Sequence, residues 1–175
     1  MRTEKSKRKK GPLTVLFVCT ANMCRSPMAE GILKQVIAEN ELGDKVDVVS
    51  AGVFAIDGET ATSYAREVSA EAGIDISGHR SQPVTKGLLR KSDLVLVMTP
   101  SHKRQIEEMS RASGEKTFLL GEYGRKGEPT SDVSIGDPYG GSKETYEVCF
   151  LRIRREIERI LPEIKRLAKK NIETS

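Results

Sequence analysis

An α/β fold is predicted: three layers, a four-stranded parallel sheet with helices on both faces, and a phosphate-binding loop after the first strand. Three observations carry this. Short apolar runs alternate with stretches of helical periodicity along the chain. The strongest runs are continuously apolar, as strands covered on both faces are. The first run, residues 13–18, ends at Cys19, and Arg25 and a strongly periodic helix follow at once.

The elements follow in order. After the first strand, Met28, Ile32, Leu33, Val36 and Ile37 fall at helical spacing. Ser26 suits the N-cap and Pro27 the first helical position, and Leu42-Gly43 marks the end. Val46-Asp-Val-Val-Ser50 is the second strand, closed by Ala51-Gly52. Thr60 or Thr62 caps a second helix with Ala65, Val68, Ala72 and Ile74 on its apolar side, and Gly73 ends it. A polar connector (75–84) and a short helix (84–91) lead to Leu94-Val-Leu-Val-Met98, the third strand. Pro100 and Ser101 open a helix with Ile106 and Met109 facing inward, and residues 117–120 are the fourth strand. Residues 121–142 hold six glycines and two prolines and read as a long loop of functional type. The last helix, from about Lys143 to Lys170, buries Phe150, Ile153, Ile157, Ile160, Ile164 and Leu167, and Pro162 stands inside it as a source of bending. That stripe reads as a core-packing face in preference to a dimeric coiled coil. The expected division is a basic disordered tail at 1–11, one domain at 12–170 and a short tail at 171–175.

Composition narrows the function. The chain of 175 residues is 37% hydrophobic and 31% charged, as a soluble globular protein is. No apolar run approaches the ~18 residues of a membrane span, and no signal peptide is recognisable. Three cysteines do not make a disulfide scaffold, so a reducing, cytoplasmic location is the expectation. The formal charge is +4, but residues 1–10 carry +5 and the remainder −1. A nearly neutral body argues against nucleic acid as the partner. A monomer is the default.

The chemistry lies in Val18-Cys-Thr-Ala-Asn-Met-Cys-Arg-Ser-Pro27. Backbone amides in a strand-to-helix loop, with the helix N-terminus, form an anion site. Arg25 can grip a phosphate through two parallel hydrogen bonds. The same positive field favours a thiolate at Cys19, the form that attacks phosphorus. The residues that would wrap a phosphate are Thr20, Ala21, Asn22, Met23, Cys24, Arg25 and Ser26. Ser26 can hydrogen-bond the Cys19 thiolate, and Asn22 suits a left-handed turn. Cys24 is either a partner for an oxidised pair with Cys19 or a passive small side chain. The leaving oxygen needs a proton, and Asp137 in Gly136-Asp-Pro-Tyr-Gly-Gly141 is the chosen donor, with Asp132 as its competitor. Tyr139 would flank an aromatic substrate. Cys149 reads as core, His102 as a surface residue at a helix start, and His79 as structural. No zinc-ligand spacing and no nucleotide-binding Gly-x4-Gly-Lys motif occurs.

The sequence resembles the low molecular weight protein tyrosine phosphatases over residues 12–168. The likeness rests on the cysteine loop with its Ser-Pro-Met-Ala-Glu continuation, Ser50-Ala-Gly, Ile76-Ser-Gly-His-Arg, Asp93-Leu-Val-Leu-Val-Met-Thr and Asp137-Pro-Tyr-Gly-Gly. Ala21 stands where that family has glycine. The resemblance implies a two-step mechanism without metal or other cofactor. Cys19 is then the nucleophile, Arg25 the clamp and Asp137 the acid, through a phosphocysteine. Asn22, Ser26, Ser50 and His79 brace the loop, and Cys24 protects Cys19 as a reversible disulfide. The partners implied are a phosphorylated protein as substrate and inorganic phosphate as product. The Phe54-Ala insert, Leu120-Gly-Glu-Tyr and Gly140-Gly141 are similar to the family's protein arginine phosphatase branch, but that branch has threonine where this chain has Met23. Met23 favours phosphotyrosine, with phosphoarginine as the alternative. Arsenate reductases share the fold but use a closely spaced extra cysteine pair, and here the one further cysteine is Cys149. A phosphoprotein-binding module without catalysis is disfavoured because nucleophile, clamp and acid are all present.

Overall fold

Four strands pair in parallel in the order β2-β1-β3-β4: β1 (Leu13–Cys19), β2 (Val46–Gly52), β3 (Leu94–Val97) and β4 (Thr117–Leu119). The computed structural model describes residues 11–127 and 132–173. The basic stretch 1–10 lies outside the described residues. No described helix is long and apolar enough to cross a membrane.

The alternation of side chains along each strand divides the core in two. Leu13, Val15, Phe17 and Cys19 of β1 face a layer formed by α1 (Arg25–Glu39), α2 (Ser63–Glu71) and α6 (Lys143–Glu173). Leu16 and Val18 face the other side, where α3 (Lys86–Lys91), α4 (Pro100–Met109) and the one-turn α5 (Arg111–Gly114) lie. The stripe of α6 is buried as anticipated from Phe150 to Ile164, but Leu167 is only partly buried and Ala168 takes the core position beside it, a better fit to the helical period from Ile164. Ile153, Ile157, Ile160 and Ile164 are each 1% exposed or less, and each contributes roughly 1.5–3 kcal/mol. Pro162 is on the solvent side of α6 and does not interrupt it. The helix runs on through Glu173, so residues 171–173 extend it where a tail was expected.

Two ends differ from expectation. Ser26 and Pro27 do not cap α1: Cys24 is the N-cap, without a side-chain cap bond, and Ser26 is turned instead toward Cys19. Gly43 does not end the helix. Glu41 adopts the left-handed conformation (φ 57°), Leu42 N–H donates to the Ile37 carbonyl and Glu41 N–H to that of Ala38. This is the Schellman arrangement without its usual glycine, and burial of Leu42 beside Ile37 holds it.

The loop after β4 is tied to α6 through Glu156, which is 1% exposed. Arg125, Arg152 and Arg159 all reach its carboxylate. Arg159 also donates to the carbonyls of Leu120 and Tyr123, and Arg152 to Asp132. Removing that buried carboxylate would leave three neighbouring, part-exposed guanidiniums without their shared counter-charge, so it is a structural hub.

Candidate active site

The sheet sets the site. β1 is central, and chain order reverses around it, so its C-terminal end opens into the crevice where such sheets bind ligands. Cys19 is the last residue of β1 and pairs in register with Gly52. A Cβ on Gly52 would collide with the Thr20 carbonyl and lie 2.8 Å from Asn22 N, so only glycine lets β2 pass under the loop. Val53 and Phe54 then donate their N–H groups to the Cys19 and Thr20 carbonyls at 3.0 and 2.9 Å.

Asn22 carries the turn, in the expected left-handed conformation at φ 58°. It is fully buried, and its side-chain amide is bonded at both ends. Its Nδ2 donates to Ser26 Oγ (2.8 Å) and Ser50 Oγ (2.9 Å), and its Oδ1 accepts from Gln82 N (3.0 Å). His79 Nε2 lies 2.7 Å from the Asn22 carbonyl, so this nitrogen carries a proton and donates. Ser50 donates to Glu30 at 2.5 Å. Ser26 Oγ receives the Asn22 amide, so its own proton is shared between Cys19 Sγ at 2.9 Å and the Ala51 carbonyl at 3.5 Å, and the shorter contact favours a thiolate. Ala21 has no left-handed φ, so its methyl group costs the loop no strain. Among the described residues, no acceptor takes the backbone N–H of Ala21, Asn22, Met23, Cys24 or Arg25. These amides and the start of α1 surround Cys19 as an anion site.

Arg25 is 3% exposed. Its Nη1 donates to the Ile135 carbonyl at 2.9 Å, and its Nη2 lies 3.4 Å from both Thr20 Oγ1 and Asp137 Oδ2. Its Nε is buried with no partner among the described residues. Ile135 N–H is held by the Met98 carbonyl at 2.8 Å, so β3 fixes the loop that brings Asp137 to Arg25. The Asp137 carboxylate is half-exposed and accepts from Tyr139 N–H. Asp132, the competing acid, is turned away and pairs with Arg152. Tyr139 is exposed, and Met23 is partly buried against the core.

Cys24 rests against Tyr146 OH (3.3 Å) and Thr62 Oγ1 (3.5 Å), and burial raises its thiol pKa. Cys149 is buried as expected and pushed up to about 12 by desolvation, which keeps it a neutral thiol.

His102 is a correction. It is not on the surface but 4% exposed, with Nε2 2.9 Å from Thr20 Oγ1 and Nδ1 unpartnered among the described residues. Thr99 caps α4 by accepting the His102 N–H, which puts the imidazole in the first turn. Helical side chains lean toward the N-terminus, so it points back onto the cysteine loop. Burial and then the charge of Arg25 lower its pKa to about 4. The unfolded chain, with histidine near 6.5, therefore takes up this proton first. Stability is full above about pH 6.5 and falls as pH drops toward about 4, by an amount on the order of 3 kcal/mol. Melting temperatures of wild type and His102→Asn at pH 7 and pH 4.5 check this. The variant should lose less stability across that interval, and equal losses would refute it.

Sequence reading missed Glu30, Gln82, Thr62, Tyr146 and His102 as members of the site. Glu30 was within reach, since it lies one helical turn beyond Ser26. The others come from distant segments and leave no local signal.

Residues 14–172 match the family model described as low molecular weight phosphotyrosine protein phosphatase. The chain belongs to that family. It is 40% identical over 159 residues to the protein-arginine-phosphatase of Bacillus subtilis, covering 91% of this chain and 99% of that one. It is 37% identical over 154 residues to EpsP of Ralstonia solanacearum, a probable low molecular weight protein-tyrosine-phosphatase, covering 88% and 97%. Among solved structures, a cysteine-to-serine mutant of the arginine phosphatase YwlE with a phosphorylated active-site serine superposes with a TM-score of 0.79. That match has 35% identity and covers 87% of this chain and 96% of the other. The phosphatase fold, with its loop after the first strand, is thus shared with this family.

Proposed function

We propose that the protein hydrolyses phosphotyrosine in proteins through a phosphocysteine. The observation that carries the reading is the buried Arg25 of the Cys19 loop, with an unpartnered Nε among the described residues and with Asp137 at 3.4 Å. Phosphate oxygens would take the loop amides from Thr20 to Ser26 and the guanidinium of Arg25. Cys19 Sγ attacks phosphorus as the P–O bond breaks, and Asp137 gives its proton to the leaving phenolate. Asp137 then takes a proton from water, which attacks phosphorus. The S–P bond breaks to release inorganic phosphate and the thiolate, stabilised by Ser26. Asn22, Ser50 and His79 keep the loop in shape for both steps.

Met23 supports tyrosine: its thioether offers a ring an apolar wall and offers a guanidinium no acceptor. Tyr139 would flank the same ring. The second reading, phosphoarginine, draws on the B. subtilis relative. Parallel assays of phosphotyrosine and phosphoarginine peptides with wild type and Met23→Thr separate the two. Wild type should favour phosphotyrosine several-fold, and Met23→Thr should shift the ratio toward phosphoarginine. A wild-type preference for phosphoarginine would overturn the choice.

The free thiols of Cys19 and Cys24 suit a reducing compartment such as the cytoplasm. We also propose that they form a reversible disulfide under peroxide. Cys24 must first leave Thr62 and Tyr146. Mass spectrometry after mild peroxide should find the bond and thiol should restore activity. Finding sulfinic acid at Cys19 instead would refute this.

A further inference from the structure

A groove of about 700 Å³ lies behind the loop that carries Asp137, between that loop and α6. Val148 and Leu151 form its floor, 69% and 63% exposed. They interrupt a helix face that is otherwise polar at Glu144, Thr145, Arg155 and Glu158. The loop runs antiparallel to α6: Cys149 meets the Gly136 carbonyl and Arg152 meets Asp132. One end of the groove is therefore the Asp137 segment of the active site, and the other is Arg155. Arg152 is occupied by Asp132 and Glu156, and Asp137 by Arg25. Arg155 has no ion pair or hydrogen bond among the described residues and is the open cation of the groove.

We infer that this groove takes the extended chain of the phosphorylated protein beside its phosphorylated residue. An apolar side chain rests on Val148 and Leu151, and a carboxylate beyond it pairs with Arg155. The inference rests on the phosphatase reading above. From Cys149 to Arg155 the helix rises roughly 9 Å. An extended strand covers that in about three residues, which sets the spacing of the carboxylate from the residue that crosses Asp137. The groove holds a few residues of an extended segment, begins at the Asp137 segment and ends at Arg155, a cation unpaired among the described residues. That continuity with the active site and that charge fit a substrate segment with a carboxylate.

The test uses phosphopeptides in which a leucine and a glutamate are walked outward from the phosphorylated residue on either side, against serine-substituted controls. Each is made with phosphotyrosine and with phosphoarginine, so the groove is read whichever residue is hydrolysed. p-Nitrophenyl phosphate, which cannot reach the groove, monitors chemistry alone. Wild type should prefer one leucine–glutamate register by about tenfold in kcat/KM, equivalent to about 1.4 kcal/mol. Leu151→Ser and Arg155→Glu should lose that preference and keep p-nitrophenyl phosphate turnover within about twofold, and Arg155→Glu should favour a lysine in place of the glutamate. Equal use of all registers by wild type, or a preference that survives both substitutions, overturns the groove. Failure of wild type to hydrolyse p-nitrophenyl phosphate overturns the phosphatase reading beneath it.

Discussion

Cys19→Ser will lose turnover by at least about 10⁴-fold while keeping its fold and its affinity for phosphate. The hydroxyl occupies the thiol's place at the end of β1 but is a far weaker nucleophile at neutral pH. A serine oxygen that does attack phosphorus forms an ester that is hard to release. The expected trace is a slow gain of one phosphoryl group at residue 19, seen by intact-mass measurement after long exposure to substrate. The related mutant with a phosphorylated active-site serine is a precedent in the family. The surroundings should not move, because Ser26, Asn22 and Ser50 are held by bonds that do not involve the thiol. Phosphatase turnover within tenfold of wild type would remove Cys19 from the mechanism.

Asp137→Ala should lower kcat by about 10²–10⁴-fold for phosphotyrosine peptides. The size depends on the leaving group. A phenol that departs readily as its anion needs little help from an acid, so loss on p-nitrophenyl phosphate should be smaller than on phosphotyrosine. Asp132→Ala serves as the contrast: its carboxylate faces Arg152, 3.0 Å away, and not the loop. Turnover unchanged in Asp137→Ala and lost in Asp132→Ala would exchange their roles. Arg25 touches both Asp137 and the Ile135 carbonyl, so its removal would disturb clamp and acid together and could not separate them.

The strands and most helices were legible because apolar continuity and helical spacing are local signals. Gly73 is left-handed at the end of α2, and Asn22 at the turn, as their chemistry requires. The cysteine loop was legible for the same reason, since its members lie within eight residues of one another. What failed was local grammar overruled by tertiary contact. Ser26 looks like a cap but serves Cys19, and Gly43 looks like a stop that Glu41 makes two residues earlier. His102 looked exposed because a histidine after Thr-Pro-Ser is usually solvated. Its burial comes from the cysteine loop, 82 residues away in sequence. The floor of the groove was illegible in another way, since Val148 and Leu151 fall outside the buried stripe of α6 and periodicity gave them no meaning.

The bonds that hold Arg25 and Asn22 span great lengths of chain. Arg25 meets Ile135 across 110 residues, and Asn22 meets Gln82 across 60. Contacts of such separation close late when a chain folds, because loop closure must come before they form. Helices and the first strand pairs can therefore be present while the phosphate cradle does not yet exist. During refolding, return of turnover should lag return of helical signal. A newly made chain would pass through a stage in which Cys19 is present but the amides and the guanidinium of Arg25 are not yet gathered round it, and the cradle is complete only when the last long-range contacts close.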